Sequence, residues 1–220
     1  MSTEIDAELR EFREWRFRFR PASATPSRLI LLIHGLSGDE NSMWIFARNL
    51  PSNYTILAPR GIHVAREGGY TWRKVRPNMR GLPTMEELRP SADTLIGFVD
   101  DWSKSESLLT KKFDVIGFSQ GAALTYTLAI LHPDRIRALA ALSGFIPKGA
   151  EDLVASGILA GKPIYVSHGR QDDMVPVELA RRSVALLEKS GANVEYCETD
   201  GGHKVSVDCF SGLSDIFAIV

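Results

Sequence analysis

The stretch Phe113-Asp114-Val115-Ile116-Gly117-Phe118-Ser119-Gln120-Gly121-Ala122-Ala123-Leu124 decides how the chain folds. Its first part, Phe113–Gly117, is a short apolar run of the kind covered on both faces in a sheet. Its last part opens a helical pattern over Gly121–Leu131, and a serine sits on the turn between them. A hydroxyl can project above a sheet from such a turn only if the turn is tight. Bulky side chains two residues either side would clash there, which explains Gly117 and Gly121. The same stretch lies within Val115–Pro133, the longest run of the chain without Asp, Glu, Lys or Arg. That run is nearly as long as a membrane span. Ser119, Gln120, Thr125, Tyr126 and Thr127 make it a poor lipid-facing helix. Buried strand, turn and helix is the expectation, with no stable membrane insertion.

Working outward, further apolar runs occur at Leu29–Ile33, Thr55–Ala58, Ala138–Leu142, Ile164–Ser167 and Val194–Cys197. Helical patterns lie among them at Met43–Leu50, Ser91–Ser107, Val177–Lys189 and Val205–Ile219. Strand alternating with helix predicts an α/β fold: a mostly parallel, doubly wound sheet with helices on both faces. No linker interrupts it, so residues 1–220 read as a single domain. The alternation Trp15-Arg16-Phe17-Arg18-Phe19-Arg20 predicts a half-buried outer strand with its arginines exposed. Residues 60–89 contain no clear strand. A loop this long in an ordinary domain is usually functional or mobile.

The chain has 26 Lys plus Arg against 27 Asp plus Glu, for a net charge of −1. That balance argues against nucleic acid and against a polybasic membrane surface as partners. With 44% hydrophobic and 24% charged residues the chain is not disordered. The N-terminal stretch from Met1 to Pro21 carries no apolar h-region, so no signal peptide is expected. Cys197 and Cys209 are too few for a disulfide framework or a metal site, which predicts a reduced, cytoplasmic setting.

A serine hydroxyl becomes a nucleophile only when a base takes its proton. His203, in the loop Thr199-Asp200-Gly201-Gly202-His203-Lys204 after the last strand, is the best placed of five histidines. His34 and His63 come too early in chain order, His132 ends a helix, and His168 closes a strand. The base needs a carboxylate to fix its tautomer. Asp172 and Asp173 follow the strand Ile164–Ser167, while Asp200 shares the histidine's own short loop. The negative oxygen of a tetrahedral intermediate needs prepositioned N–H donors. One is the N–H of Gln120, and the other belongs in the loop His34-Gly35-Leu36. Phe145 and Met174 follow strand ends near these residues and are candidates for the substrate pocket. Met79, Leu82 and Met85 are candidates for an apolar cover.

Four motifs in order carry a resemblance to the phospholipase/carboxylesterase family of serine α/β-hydrolases, which includes acyl-protein thioesterases. They are Leu32-Ile33-His34-Gly35-Leu36-Ser37-Gly38-Asp39, then Gly117-Phe118-Ser119-Gln120-Gly121, then His168-Gly169 with Asp172 and Val175-Pro176, then Gly202-His203. The resemblance implies the α/β-hydrolase fold and a Ser119–His203–Asp172 triad, with Asp173 a solvated neighbour. It places the second oxyanion donor at Leu36 and brings Trp72 to the substrate pocket, the alternative for Trp72 being plain packing beneath a loop. It also implies cleavage of small-molecule carboxylic esters, thioesters or lysophospholipids through an acyl-enzyme, with no metal or organic cofactor. The competing readings are a transacylase on the same triad and a non-catalytic ligand-binding protein of this fold.

Overall fold

A computed structural model of the chain describes residues 8–74, 81–108 and 110–219. Among these residues ten strands run β1 (Glu8–Phe12), β2 (Trp15–Arg20), β3 (Arg28–Ile33), β4 (Tyr54–Pro59), β5 (His63–Val64), β6 (Tyr70–Thr71), β7 (Phe113–Phe118), β8 (Ile136–Leu142), β9 (Pro163–Gly169) and β10 (Asn193–Thr199). Five α-helices alternate with them: α1 (Met85–Ser105), α2 (Gln120–Leu131), α3 (Glu151–Ala155), α4 (Val177–Lys189) and α5 (Phe210–Ile219). Two 3-10 helices, Trp44–Asn49 and Val207–Cys209, complete the set.

Eight strands form one sheet in the order β1-β2-β4-β3-β7-β8-β9-β10. From β4 to β10 every pairing is parallel, while β1 and β2 are antiparallel additions at one edge. The chain therefore has the expected doubly wound α/β-hydrolase architecture, with β3 and β7 side by side at its centre. One apolar layer packs α1, α2 and α4 on one face, through Leu95, Trp102, Ala123 and Leu187 among others. The other face is covered by α5 and the 3-10 helix Trp44–Asn49, through Phe217, Leu213 and Phe46. Residues 115–131 are buried almost throughout, from β7 into α2. Their lack of charge reflects burial inside protein, and among the described residues no helix is long and apolar enough to cross a membrane.

Three expectations about the elements are corrected. The strand Trp15–Arg20 is not the outer one: β1 pairs along it and takes the edge. β1 is polar apart from Leu9 and Phe12, so apolar periodicity does not reveal it. The helix read from Ser91 starts earlier, at Met85, and runs through Pro90. Its start is set by a capping box. Thr84 Oγ1 accepts the Glu87 N–H, and the Glu87 carboxylate accepts the Thr84 N–H at 2.9 Å. Pro90, the sixth residue, has no N–H to give the Glu86 carbonyl, and the helix runs on past that single missing bond. Finally, the 60–89 segment contains the small hairpin β5–β6 as well as the first turns of α1. Met79 and Pro77 of that segment lie outside the described residues.

The two cysteines also depart from expectation. Cys197 of β10 and Cys209 of the second 3-10 helix are joined in a disulfide, with Cα atoms 5.8 Å apart. The strand-to-helix connection brings them together, and their number alone says nothing of that. The bond encloses the loop that carries His203.

Candidate active site

Ser119 occupies the turn between β7 and α2 with φ 54° and ψ −115°, a left-handed backbone that a side chain adopts at a steric cost. The packing around it enforces that conformation. A Cβ on Gly117 would run into the Gly121 carbonyl and the Thr125 hydroxyl, and one on Gly121 would meet the Ile33 carbonyl of the neighbouring strand. The Ser119 N–H donates to Leu142 O at 2.8 Å, tying the turn to β8.

His203 reaches the serine from the loop after β10. Its Nε2 lies 2.9 Å from Ser119 Oγ, and its Nδ1 lies 2.7 Å from Asp172 Oδ2. The ring stacks obliquely on Phe118, centroid to centroid 5.0 Å. Asp172 is buried at the turn after β9. Its other oxygen, Oδ1, accepts the backbone N–H groups of Met174 and Val175 at 3.0 and 2.8 Å. Those two bonds fix the carboxylate so that Oδ2 is left for His203. Asp173 is exposed, and Asp200 pairs outward with Arg170. His168 is buried behind the acid, with Nε2 donating to Val175 O at 2.8 Å. His132 caps the end of α2 opposite Ser119 and pairs with Asp93 at 2.8 Å.

The loop His34-Gly35-Leu36 stands against the serine turn: a Cβ on Gly35 would lie 3.3 Å from Ser119 Cβ. Among the described residues the Leu36 N–H meets no acceptor. Gln120 is the first residue of α2, where backbone N–H groups have no intrahelical partner. Both N–H groups belong to residues that line the cavity beside Ser119.

Sequence reading missed how this loop is held. The Gly61 N–H donates to His34 Nε2 at 2.8 Å, so the ring carries its proton on Nδ1 and donates it to Gly35 O at 2.6 Å. Burial drives the His34 pKa down and keeps the ring neutral in this role. Trp72 is fully buried, and its indole N–H donates to His34 O at 2.8 Å. It braces the loop from beneath and does not line the cavity. The Gln120 carboxamide oxygen accepts from Thr71 Oγ1 and from the Trp72 N–H, at 2.9 and 2.8 Å. These are polar contacts across separate loops, invisible to any periodicity.

Over Ser119 lies a cavity of about 720 Å³, bounded by Leu82, Phe145, Met174 and Arg73 together with the serine and histidine. Phe145 and Met174, the two pocket candidates that follow strand ends, both line it, and Leu82 closes the outer side. Met85, by contrast, is buried in the core. A second cavity of about 420 Å³ adjoins across Leu82, Pro83 and Phe145. A third, of about 390 Å³, lies on the opposite side of His203. Among the described residues no group of three or more His, Cys, Asp or Glu could hold a metal ion.

A serine beside a histidine that is itself paired with a carboxylate, with Leu36 and Gln120 lining the same cavity, is an arrangement suited to acyl transfer. Comparison with known proteins agrees. The family model described as phospholipase/carboxylesterase matches residues 18–219. Acyl-protein thioesterase 1 of Saccharomyces cerevisiae is 28% identical over 194 residues, covering 79% of this chain and 81% of that protein. A carboxylesterase from Mesorhizobium loti superposes with a TM-score of 0.77 at 23% identity, over 96% of this chain and 98% of that one. The Bacillus cereus carboxylesterase gives a TM-score of 0.77 at 21% identity, over 91% and 92%. At these identities the two structures speak to the fold.

Proposed function

The chain belongs to the phospholipase/carboxylesterase family, and from that premise we propose that it hydrolyses carboxylic esters through Ser119, His203 and Asp172. The observation that carries the reading is the continuous line from Ser119 Oγ through both ring nitrogens of His203 to a buried, doubly hydrogen-bonded Asp172.

In the first step Ser119 Oγ attacks the ester carbonyl while His203 Nε2 takes its proton. Asp172 holds the ring and stabilises the imidazolium that forms. The N–H groups of Leu36 and Gln120 hold the oxyanion. One such donor is worth on the order of 3 kcal/mol in the transition state. His203 then protonates the leaving oxygen, and the alcohol departs. Water, activated by the same histidine, releases the acid in the second step. Thioesters and lysophospholipids present the same carbonyl chemistry and belong to the proposed substrate class. The substrate is a small molecule, and these side chains suffice for the reaction without a metal or organic cofactor. The expectation of a cytoplasmic setting rests on a cysteine count read as free of disulfides, whereas Cys197 and Cys209 are joined. The disulfide weighs against a reducing compartment, and alkylation of Cys197 and Cys209 in freshly lysed native cells decides it.

A fluorophosphonate probe should label Ser119. Ser119→Ala should abolish both labelling and ester hydrolysis. Undiminished turnover of p-nitrophenyl acetate by that variant would overturn the mechanism.

A further inference from the structure

We propose that the smaller cavity beside His203, lined by Met43, Phe46 and Phe210, is the room for the leaving group. On this assignment it selects esters of apolar alcohols or thiols of aryl or medium alkyl size. The inference deepens the triad reading and rests on it.

The two cavities share Gly35, Leu36, Ser37, Phe118 and His203, but they differ in what else they touch. The larger one touches Ser119 and Gln120. The smaller one touches neither; it follows the histidine loop through Lys204 and Val205. The chemistry assigns each side. In acylation the Ser119 Oγ–C bond forms and the bond from carbon to the leaving oxygen or sulfur breaks. The serine proton passes to His203 Nε2 and then to the leaving atom, so a neutral alcohol or thiol departs. The acyl portion stays bonded to Ser119 through both steps, so it must occupy the cavity that touches Ser119 and the oxyanion donors. The leaving atom must be within reach of His203 Nε2 and needs no contact with the serine once free. His203 lines both cavities, so with the acyl portion in the larger one the smaller is the room left for the leaving group.

Its walls state the preference. Met43, Phe46 and Phe210 form an apolar floor, with the Phe46 and Phe210 rings edge to face at 5.7 Å. Ile45 stands at the mouth, 63% exposed. The volume falls within the range of small-molecule sites, roughly 300–1,000 Å³. A methyl or ethyl alcohol leaves nearly all of this room unfilled, whereas a hexyl or naphthyl group occupies a substantial part of it.

The test uses two substrate series on the full-length protein. One keeps the acetyl group and varies the alcohol from methanol to hexanol and 2-naphthol. The other keeps the methyl leaving group and varies the acyl chain from acetyl to octanoyl. Each result is a ratio of kcat/KM values, variant against wild type, so intrinsic leaving-group reactivity cancels. Ile45→Trp, an exposed substitution that fills the cavity mouth, should lower the 2-naphthyl to methyl ratio about tenfold and leave the octanoyl to acetyl ratio within about twofold. Leu82→Trp, on the 41% exposed outer wall of the other cavity, should give the reverse pattern. If Ile45→Trp alters the acyl ratio instead, or alters neither, the assignment is overturned. Failure of the triad reading looks different: Ser119→Ala would then retain activity on both series.

Discussion

Ser119 and His203 sit 2.9 Å apart, yet opposite means hold them there. The serine turn is fixed by crowding. Gly117 and Gly121 have no space for a Cβ, and backbone closes on each of them. The histidine loop is open around its own two glycines, although its Gly201 and Gly202 carbonyls close on Gly169 of β9. A Cβ on Gly201 or Gly202 would come no nearer than 3.5 Å to anything. That loop is held instead by discrete links: the Cys197–Cys209 bond, the Gln171 N–H donating to Gly201 O at 2.9 Å, and the Arg170 pairs with Glu198 and Asp200. On the proposed mechanism Ser119 keeps its strained conformation through both steps, which close packing supports. On the same mechanism His203 accepts and returns a proton, and a tethered ring serves for that.

The contrast can be broken most sharply at the acid. Asp172→Asn should lower kcat by about 10⁴-fold, because the ring loses its tautomer lock, while Asp173→Asn should stay within about twofold. Equal losses, measured as kcat on p-nitrophenyl acetate, would mean the acid is wrongly assigned. Next in size, Gly121→Ala should destabilise the fold by several kcal/mol or prevent folding, as overpacking against backbone does. Gly202→Ala should cost less than about 1 kcal/mol by urea unfolding, as a substitution into open space does. A costly Gly202→Ala would show that the loop is crowded after all. Converting both cysteines to serine should remove about 3 kcal/mol for a loop of this length, and should lower kcat more than it weakens substrate binding. An unchanged melting temperature would mean the discrete links are redundant.

The smallest expected effect concerns His34. Burial lowers its pKa below the ordinary 6.5, so the unfolded chain binds that proton more tightly than the folded one. Stability is then whole above about pH 6.5 and falls as pH drops below it. Urea midpoints at pH 7.5 and 5.5 should differ in that direction, and His34→Gln should flatten the difference. A midpoint that rises on acidification would show the ring is not held neutral.

Most of the sheet is legible in the sequence because parallel strands buried on both faces read as apolar runs, and β3, β7 and β9 match those runs closely. The serine turn is legible because its glycines fall within one pentapeptide between an apolar strand and a helix, although what crowds Gly121 is the distant Ile33 carbonyl. β1 is not, since it is rich in charged residues at an exposed edge. The start of α1 hides behind Pro90, whose usual meaning as a breaker outweighs the Thr84–Glu87 signature. Trp72 shows the limit for the site: the family resemblance offers a pocket wall and the residue type offers packing beneath a loop, and what decides between them is a hydrogen bond to His34, far away in the chain.

The disulfide also changes what a cut in the chain can do. Lys204 is exposed beside His203 and lies inside the covalent ring closed by Cys197 and Cys209. Trypsin acting there would leave α5 joined to β10 through sulfur. The nicked protein would still run as one band on a non-reducing gel and separate into two only on reduction. The C-terminal helix, which helps cover one face of the sheet through Leu213 and Phe217, is in that sense attached to the molecule twice.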